Sequence, residues 1–391
     1  MKSKIVRLKA GQHSYVFCPV WVKLDEDVTE LQNVALVDQD TGKVIPCQVE
    51  QIPETKETKL WWMIDSLTQG QEKSYELVKN KQVPAIGKVD LNQGDDRIEI
   101  KIGAEFFTNY YFGPKYPKPF LHPLIGPYGK SVTRDYPIIP DIAGETTDHP
   151  HHRSVWTGWG EVNGEDFWCN EPEGGVIQRP IRHKQFLTCS GGMVFGHIIS
   201  INEWIGSTGE KIVEERREVR IYNLPSSIRV VDWETNLRSL GEKVLLGDTK
   251  EGGFLSIRVA TTMDGDKGGR IENSYGAVSE AETWGKRAHW CDYSGPVDDK
   301  IVGIAIFDNP ENFRYPTYWH VRDYGLFAAN PLGLSHFEKD KSYNGSYEIP
   351  AGGQVSWKYR IYIHGGNAVE GNVGEKFNNY VNPPVIELIE E

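Results

Sequence analysis

What this chain lacks narrows its fold and its chemistry before any motif is considered. No apolar run approaches the roughly 18 residues that a membrane-spanning helix requires. Mean hydropathy is −0.49, so helical membrane classes fall away. Cysteine is scarce: Cys18, Cys47, Cys169, Cys189 and Cys291 are scattered, odd in number and include no CxxC pair. That excludes a disulfide framework and fits the reduced thiols of a cytoplasm. The start, MKSKIVRLKAGQHSYVFCPVWVKL, is basic but has neither the apolar core nor the small-residue cleavage site of a secretory signal. Positive charge is in deficit, with 43 Lys and Arg against 55 Asp and Glu and a formal net charge of −12. No basic stripe stands out, which argues against nucleic acid or an anionic membrane as a partner. Helical periodicity is scarce too, EGNVGEKFNNYV near the C-terminus being the best short candidate. There is no internal repeat and no low-complexity tract.

What is present describes short strands joined by turns. Aromatics make up 11% of the chain, with 40 glycines and 22 prolines. Over residues 1–80 the runs IVRL, SYVFCPVWVKL, NVALVD, KVIPCQV, KLWWMID and SYELV are apolar or alternating, and Asp40-Thr41-Gly42 marks a hairpin turn. The pattern lapses in NKQVPAIGKV, where Pro84 and Gly87 predict a boundary. Further on, period two is strong. In IRVVDWETNLRSL, Val231, Trp233, Thr235 and Leu237 share one face, with Asp232, Glu234 and Asn236 on the other. In QVSWKYRIYIHGG, Val355, Trp357, Tyr359, Ile361 and Ile363 alternate with Ser356, Lys358, Arg360, Tyr362 and His364. Both read as antiparallel strands with one buried face. The expected fold is all-β: a small N-terminal β-domain over residues 1–85, then a large antiparallel β-sandwich, supersandwich-like, over 90–391.

Residues 111–150 hold eight prolines, too many for interior strands or helices. Long irregular loops of this kind often bind ligands. This one leads to DHPHHRSVWTGWGEVNGEDFW, which packs His149, His151, His152 and Arg153 beside Trp156, Trp159 and Trp168, with Glu161, Glu165 and Asp166. Such titratable groups are costly to bury unpaired and seldom gather for packing alone. If residues 149–152 are extended, His149 and His151 project to one side and His152 to the other. A His-x-His pair can present two imidazoles to a divalent metal; histidine also suits proton transfer near neutral pH. The plainer reading is that these side chains bond neighbouring loop backbone.

Three further islands mix aromatic and charged residues. GDTKEGGF offers Lys250 and Glu251 between glycines, as an acid–base pair, as sugar-hydroxyl ligands, or merely as a surface ion pair in a hairpin. ETWGKRAHWCDYSG holds His289. DNPENFRYPTYWHVRDYGLFAANPLG holds Arg314, Trp319, His320 and Arg322. Rings stack on the C–H faces of sugars and arginine grips carboxylates or hydroxyl pairs, although alternating aromatics are more often core than platform. No GxSxG elbow, HExxH helix, P-loop or dinucleotide fingerprint is present.

Over residues 110–335 the chain resembles the bacterial PmoA-like family, labelled "methane oxygenase PmoA". The resemblance is carried by PYGKSVTRDYP, DHPHHRSVWTGWGEVNGEDFW, GDTKEGGFLSIRVA, ETWGKRAHWCDYSG and NPENFRYPTYWHVRDYGLFAANP. The family pattern has Asp-His-Pro where this chain has Asp308-Asn309-Pro310, and proline at the place of Tyr318, which puts a catalytic role for position 309 in doubt. A membrane oxygenase subunit needs several spanning helices, so the label does not fit this chain. The resemblance and the sandwich together imply carbohydrate chemistry, by fold-level analogy.

The expectation is a cytoplasmic carbohydrate-active enzyme, a glycoside hydrolase or a lyase or epimerase, acting on a sugar or small glycoside. His149, His151, His152, Glu251 and His320 are the candidate catalytic groups. Arg153, Trp156, Trp159, Lys250, His289, Arg314, Trp319 and Arg322 are the candidate substrate ligands. No cofactor is required; a divalent metal, if used, falls to His149 and His151. The alternatives are a non-catalytic carbohydrate-binding protein and a His-ligated metal-dependent oxidoreductase. Nothing in the sequence assigns an oligomeric state.

Overall fold

Alternation of apolar and polar residues dictates strands, and strands account for nearly all regular structure in the computed structural model. It describes residues 4–390 except 27, 32, 53, 82 and 84–86. Pro84, one of the two residues that mark the expected boundary, lies outside the described residues.

The first sheet has seven strands and runs from Tyr15–Leu24 at one edge to Val385–Glu390 at the other. Its core is made by Val6, Leu8, Leu36, Leu60, Trp62 and Ile64. The hairpin at Asp40-Thr41-Gly42 forms because the Asp38 carboxylate accepts from the Asp40 and Thr41 amides and Gly42 takes φ of 69°. The edge strand Val385–Glu390 belongs to a segment that the sequence pattern groups with the large sandwich. It instead pairs antiparallel with Lys4–Lys9, Lys4 facing Glu390.

The rest of the chain forms two eight-stranded antiparallel sheets packed face to face as a β-sandwich. The back sheet contains the two strongly alternating segments, Ile228–Ser239 and Gln354–Gly365, paired with each other. Val231, Trp233, Leu237, Trp357, Tyr359, Ile361 and Ile363 point into the core. Tyr362 and His364, on the other face, are also buried. The segment that follows them returns over that face: Tyr362 donates to the Gly371 carbonyl at 2.9 Å, and Phe377 of helix Val373–Val381 packs in the same cluster.

The front sheet runs in the order Tyr318–Val321, Leu326–Asn330, Gly252–Arg258, Val155–Trp159, Phe120–His122, Glu105–Tyr111, Arg97–Ile102 and Val89–Gln93. Its inner residues complete the main core. Its outer face carries a separate apolar cluster of Phe120, Trp156, Trp168, Leu326 and Ala328. The proline-rich segment contributes the strand Phe120–His122 to this sheet, turns inward so that Leu124 and Val132 join the main core, and otherwise has little regular structure besides a single 3₁₀ turn, Pro127–Gly129. No helix among the described residues is long and apolar enough to cross a membrane.

Candidate functional site

The three histidines do not lie on a strand. His149 takes φ of 46°, the His152 amide donates to the His149 carbonyl at 3.0 Å, and the tight turn brings all three rings together. His149 lies parallel to His152 with centroids 4.8 Å apart, and His151 meets His152 edge-on at 4.4 Å. The extended reading, which puts His152 opposite its neighbours, is therefore corrected by the turn. Left-handed backbone at a non-glycine residue costs energy and tends to occur where a site over-determines it.

Two arginines hold the turn in place. Arg258, the last residue of Gly252–Arg258, emerges on the outer face. It donates to both carboxylate oxygens of Asp148, at 3.0 and 3.1 Å. Arg134 adds 2.9 Å to Asp148 and 3.2 Å to the His149 carbonyl. Both guanidinium groups are fully buried. Asp148 in turn bonds the Nδ1 of His149. Burial alone would raise the Asp148 carboxyl, but the bonds from Arg258 and His149 and the two arginine charges hold it well below the usual carboxylate range.

The histidines differ in environment. Arg258 donates to His152 Nδ1 at 3.2 Å, which places the His152 proton on Nε2. That atom is buried with no partner among the described residues. Burial, then the charges of His151 and Arg258, keeps His152 neutral far below its ordinary titration. Burial, with Lys118 next, pushes His151 down to about 3; its Nε2 lies 3.6 Å from Cys169 Sγ. The His149 side chain is 40% exposed. Its ring lies parallel to Tyr324 at 4.9 Å, and the Arg258 and Arg322 guanidiniums stand 5.0 and 5.4 Å from the Tyr324 ring.

The second and fourth islands supply the rim. The hairpin expected around Lys250 and Glu251 is not there: their turn joins Val244–Leu246 to Gly252–Arg258, strands of different sheets. The two side chains do form an ion pair at 2.7 Å, both partly exposed. Their charges nevertheless act on this site: Lys250 on His320, and Glu251 on Tyr324 and Cys169. His320 is buried, and its Nδ1 accepts from the Trp284 indole at 2.9 Å. Burial, followed by Lys250 and Arg322, pushes it down to about 3. Arg322 pairs with Glu280 at 2.8 Å. His149 also contributes to the field at His320, so residues far apart in sequence share one neighbourhood.

Other expected ligands point elsewhere. Trp156 faces the site and stacks on His152 at 5.3 Å. Trp159 is three residues further on, past a register irregularity; it lies in the inter-sheet core, stacked on Phe254 at 4.9 Å. Trp319 is likewise core, because it precedes outward-facing His320 by one residue. Neither ring faces the histidines, so their expected role as ligand platforms is replaced by core packing. Arg153 is buried against Glu171. Arg314 braces the Pro331, Gly345 and Ser346 carbonyls. His289 bonds Tyr275 and Tyr315 and packs on Phe377, at the helix covering the back sheet.

Arg134, Asp148, Arg258 and Lys118 are the site residues that sequence reasoning missed. Lys118, flanked by Pro117 and Pro119, is buried and donates to the Phe167 and Trp168 carbonyls at 3.2 and 2.7 Å. Burial pushes it down to about 7, with Glu171 opposing that shift and Arg153 adding to it. A lone lysine between prolines, and an arginine ending an apolar strand, were the available signals.

His149 and His151, named as metal ligands if a metal is used, have centroids 5.6 Å apart with rings at 73°. Among the described residues, the one cluster of at least three His, Cys, Asp or Glu ligand atoms within 4.8 Å of one another is Glu50, His197 and Glu218. Arg220 already bridges the two carboxylates there, which makes the group an ion network.

The model of DUF6807, a family of unknown function, matches residues 97–378. That finding overturns the PmoA-like resemblance; the family matched is DUF6807, and no PmoA-like family is found. No curated protein matches. Among solved structures, the α-galactosidase from Lactobacillus brevis is similar at a TM-score of 0.36 and 9% identity. The match covers 74% of this chain and 41% of that one, so the chain spans under half the length of that enzyme.

Proposed function

The chain belongs to the DUF6807 family, and from the geometry of its front-sheet site we propose a carbohydrate-active enzyme whose proton-transfer group is His149. One observation carries the reading: Asp148, anchored by Arg134 and Arg258, bonds His149 Nδ1. A carboxylate on one imidazole nitrogen fixes the tautomer and leaves the other nitrogen as the working base. The His149 side chain is accessible, whereas His151, His152 and His320 are held neutral and serve as walls and hydrogen-bonding groups.

Hydrolysis by the usual route needs two free carboxylates at a defined separation. The carboxylates of the histidine stretch and the Lys250 turn are largely committed. Asp166 caps the Trp168 and Cys169 amides, Glu165 bonds Ser207, and Glu251 pairs with Lys250. This favours β-elimination. His149 Nε2 takes the C–H proton next to a sugar carbonyl or carboxylate. That C–H electron pair moves onto the carbonyl or carboxylate as an enolate-like intermediate, then returns to form the new C=C bond as the C–O bond to the leaving group breaks, and the imidazolium gives its proton to the leaving oxygen. Lys250 and Arg322, each already paired with a carboxylate, have further N–H donors that can reach the enolate-like oxygen.

The test is incubation with uronate-containing disaccharides and keto-glycosides, following the unsaturated product by ultraviolet absorbance. The parent protein should turn one over, and His149→Gln should lower kcat by about 10²–10⁴ with affinity retained. Binding without any product marks a carbohydrate-binding protein and overturns the enzyme. Release of a reducing sugar without a double bond overturns elimination in favour of hydrolysis.

A further inference from the structure

The outer face of the back sheet, on the opposite side of the sandwich from the histidine turn, meets the N-terminal sheet across a cleft. Two adjoining cavities of about 360 and 350 Å³ lie there and share Trp21, Trp61, Asp232 and Tyr380 as lining. Trp21 is 42% exposed, unusual for so large a ring, and stands 6.1 Å from Trp61 at 43°. Lys59 Nζ lies 4.0 Å from the Trp21 ring centroid.

The charges lining this cleft are matched, with one exception. Arg360 grips Asp232 at 2.6 and 2.8 Å. Glu218 is held by His197, Arg216 and Arg220. Glu234 faces Glu218 across one strand pair and Lys358 across the other. A like-charged cross-strand neighbour is unfavourable, and Lys358 turns to Glu311 at 3.1 Å instead. Among the described residues Glu234 has no hydrogen-bond or ion-pair partner, while it lines the cleft. Burial, then Glu218, raises its carboxyl.

We propose that this cleft is a second saccharide-binding site, separate from the histidine site, in which Trp21, backed by the buried Trp61, takes a pyranose C–H face and Glu234 accepts sugar hydroxyls. Matched charges offer little net field to an ion, whereas the one exposed ring, Trp21, beside an unpaired acceptor suits a neutral polyhydroxylated ring. The inference is independent of the proton-transfer role of His149.

The experiment titrates the whole chain with cellobiose, maltose, lactose and trehalose, reading the tryptophan indole N–H resonances. At least one of these sugars should shift the Trp21 and Trp61 signals. Trp21→Ala should weaken that binding about tenfold, equivalent to 1.4 kcal/mol, and Glu234→Gln should weaken it several-fold. His149→Ala should leave these shifts unchanged, so failure of the cleft and failure of the histidine reading are separable. If none of the four sugars moves either indole, or Trp21→Ala binds as tightly as the parent, the cleft is an ordinary crevice between sheets and the proposal is overturned.

Discussion

Arg258 and Asp148 are 110 residues apart in the chain, yet the guanidinium of one meets both carboxylate oxygens of the other at 3.0 and 3.1 Å. The strand that ends at Arg258 thereby fixes the loop carrying the histidines. Without Arg258, Asp148, whose side chain is 37% exposed, keeps only Arg134 and His149 as partners, and the buried bonds that Arg258 makes to Thr146 and His152 are lost as well. Arg258→Met should therefore cost about 2–4 kcal/mol in urea unfolding and abolish whatever turnover His149 supports. Arg258→Lys should recover part of the stability but not the geometry, since an ammonium cannot reproduce the two-pronged contact. Equal stability in all three proteins would mean that the contact does not organise the turn.

His320 gives a pH dependence with a definite sign. Its folded value is pushed down to about 3 by burial and by the Lys250 and Arg322 charges, whereas an unfolded histidine titrates near about 6.5. Between these values the unfolded chain binds a proton that the folded chain does not, so stability falls as pH is lowered from about 6.5 toward 3. His320→Gln should flatten that part of the stability–pH curve relative to the parent. Parallel curves in chemical denaturation at several pH values would count against a neutral, buried His320.

Trp159 of the histidine stretch and Tyr324 beside His149 separate stability from function. Trp159→Ala, in the inter-sheet core, should cost about 3–5 kcal/mol and leave ligand recognition intact in whatever fraction remains folded. Tyr324→Leu removes a ring that lies against His149 on the site face. It should change affinity or turnover far more than the unfolding midpoint. Thermal melts together with titration of the same samples distinguish the two behaviours. A Trp159 variant that is fully stable but does not bind would place that ring at the ligand instead.

Period two made the sandwich legible, because Val231, Trp233 and Leu237, or Trp357, Tyr359 and Ile361, must share a face in any strand. Which face is the site face is not encoded locally. Trp156 and Trp159 look alike in sequence, but odd spacing and a register irregularity put one beside His152 and the other beside Phe254. The histidine concentration was legible as chemistry, yet its anchors were not. Arg134, Arg258 and Lys118 are isolated charges whose partners are set by tertiary packing. The same holds for Val385–Glu390, whose partner strand begins at Lys4, at the far end of the chain.

Lys118 tests whether the floor of the site is charged. Its ammonium is buried against the Phe167 and Trp168 carbonyls, and burial brings it down to about 7. An unfolded lysine keeps its proton up to about 10.4. Above about pH 7 the unfolded state thus holds one proton more than the folded state, and stability should rise with pH between about 7 and 10. Lys118→Met removes the titrating group and with it this rise, while keeping most of the buried volume. The same substitution removes a positive charge that helps hold His151 neutral, so His151 should titrate higher in the variant, read from its imidazole resonances. If the variant keeps the parent's slope, Lys118 holds its proton in the folded protein just as in the unfolded chain, and if His151 does not move either, that charge is screened from His151.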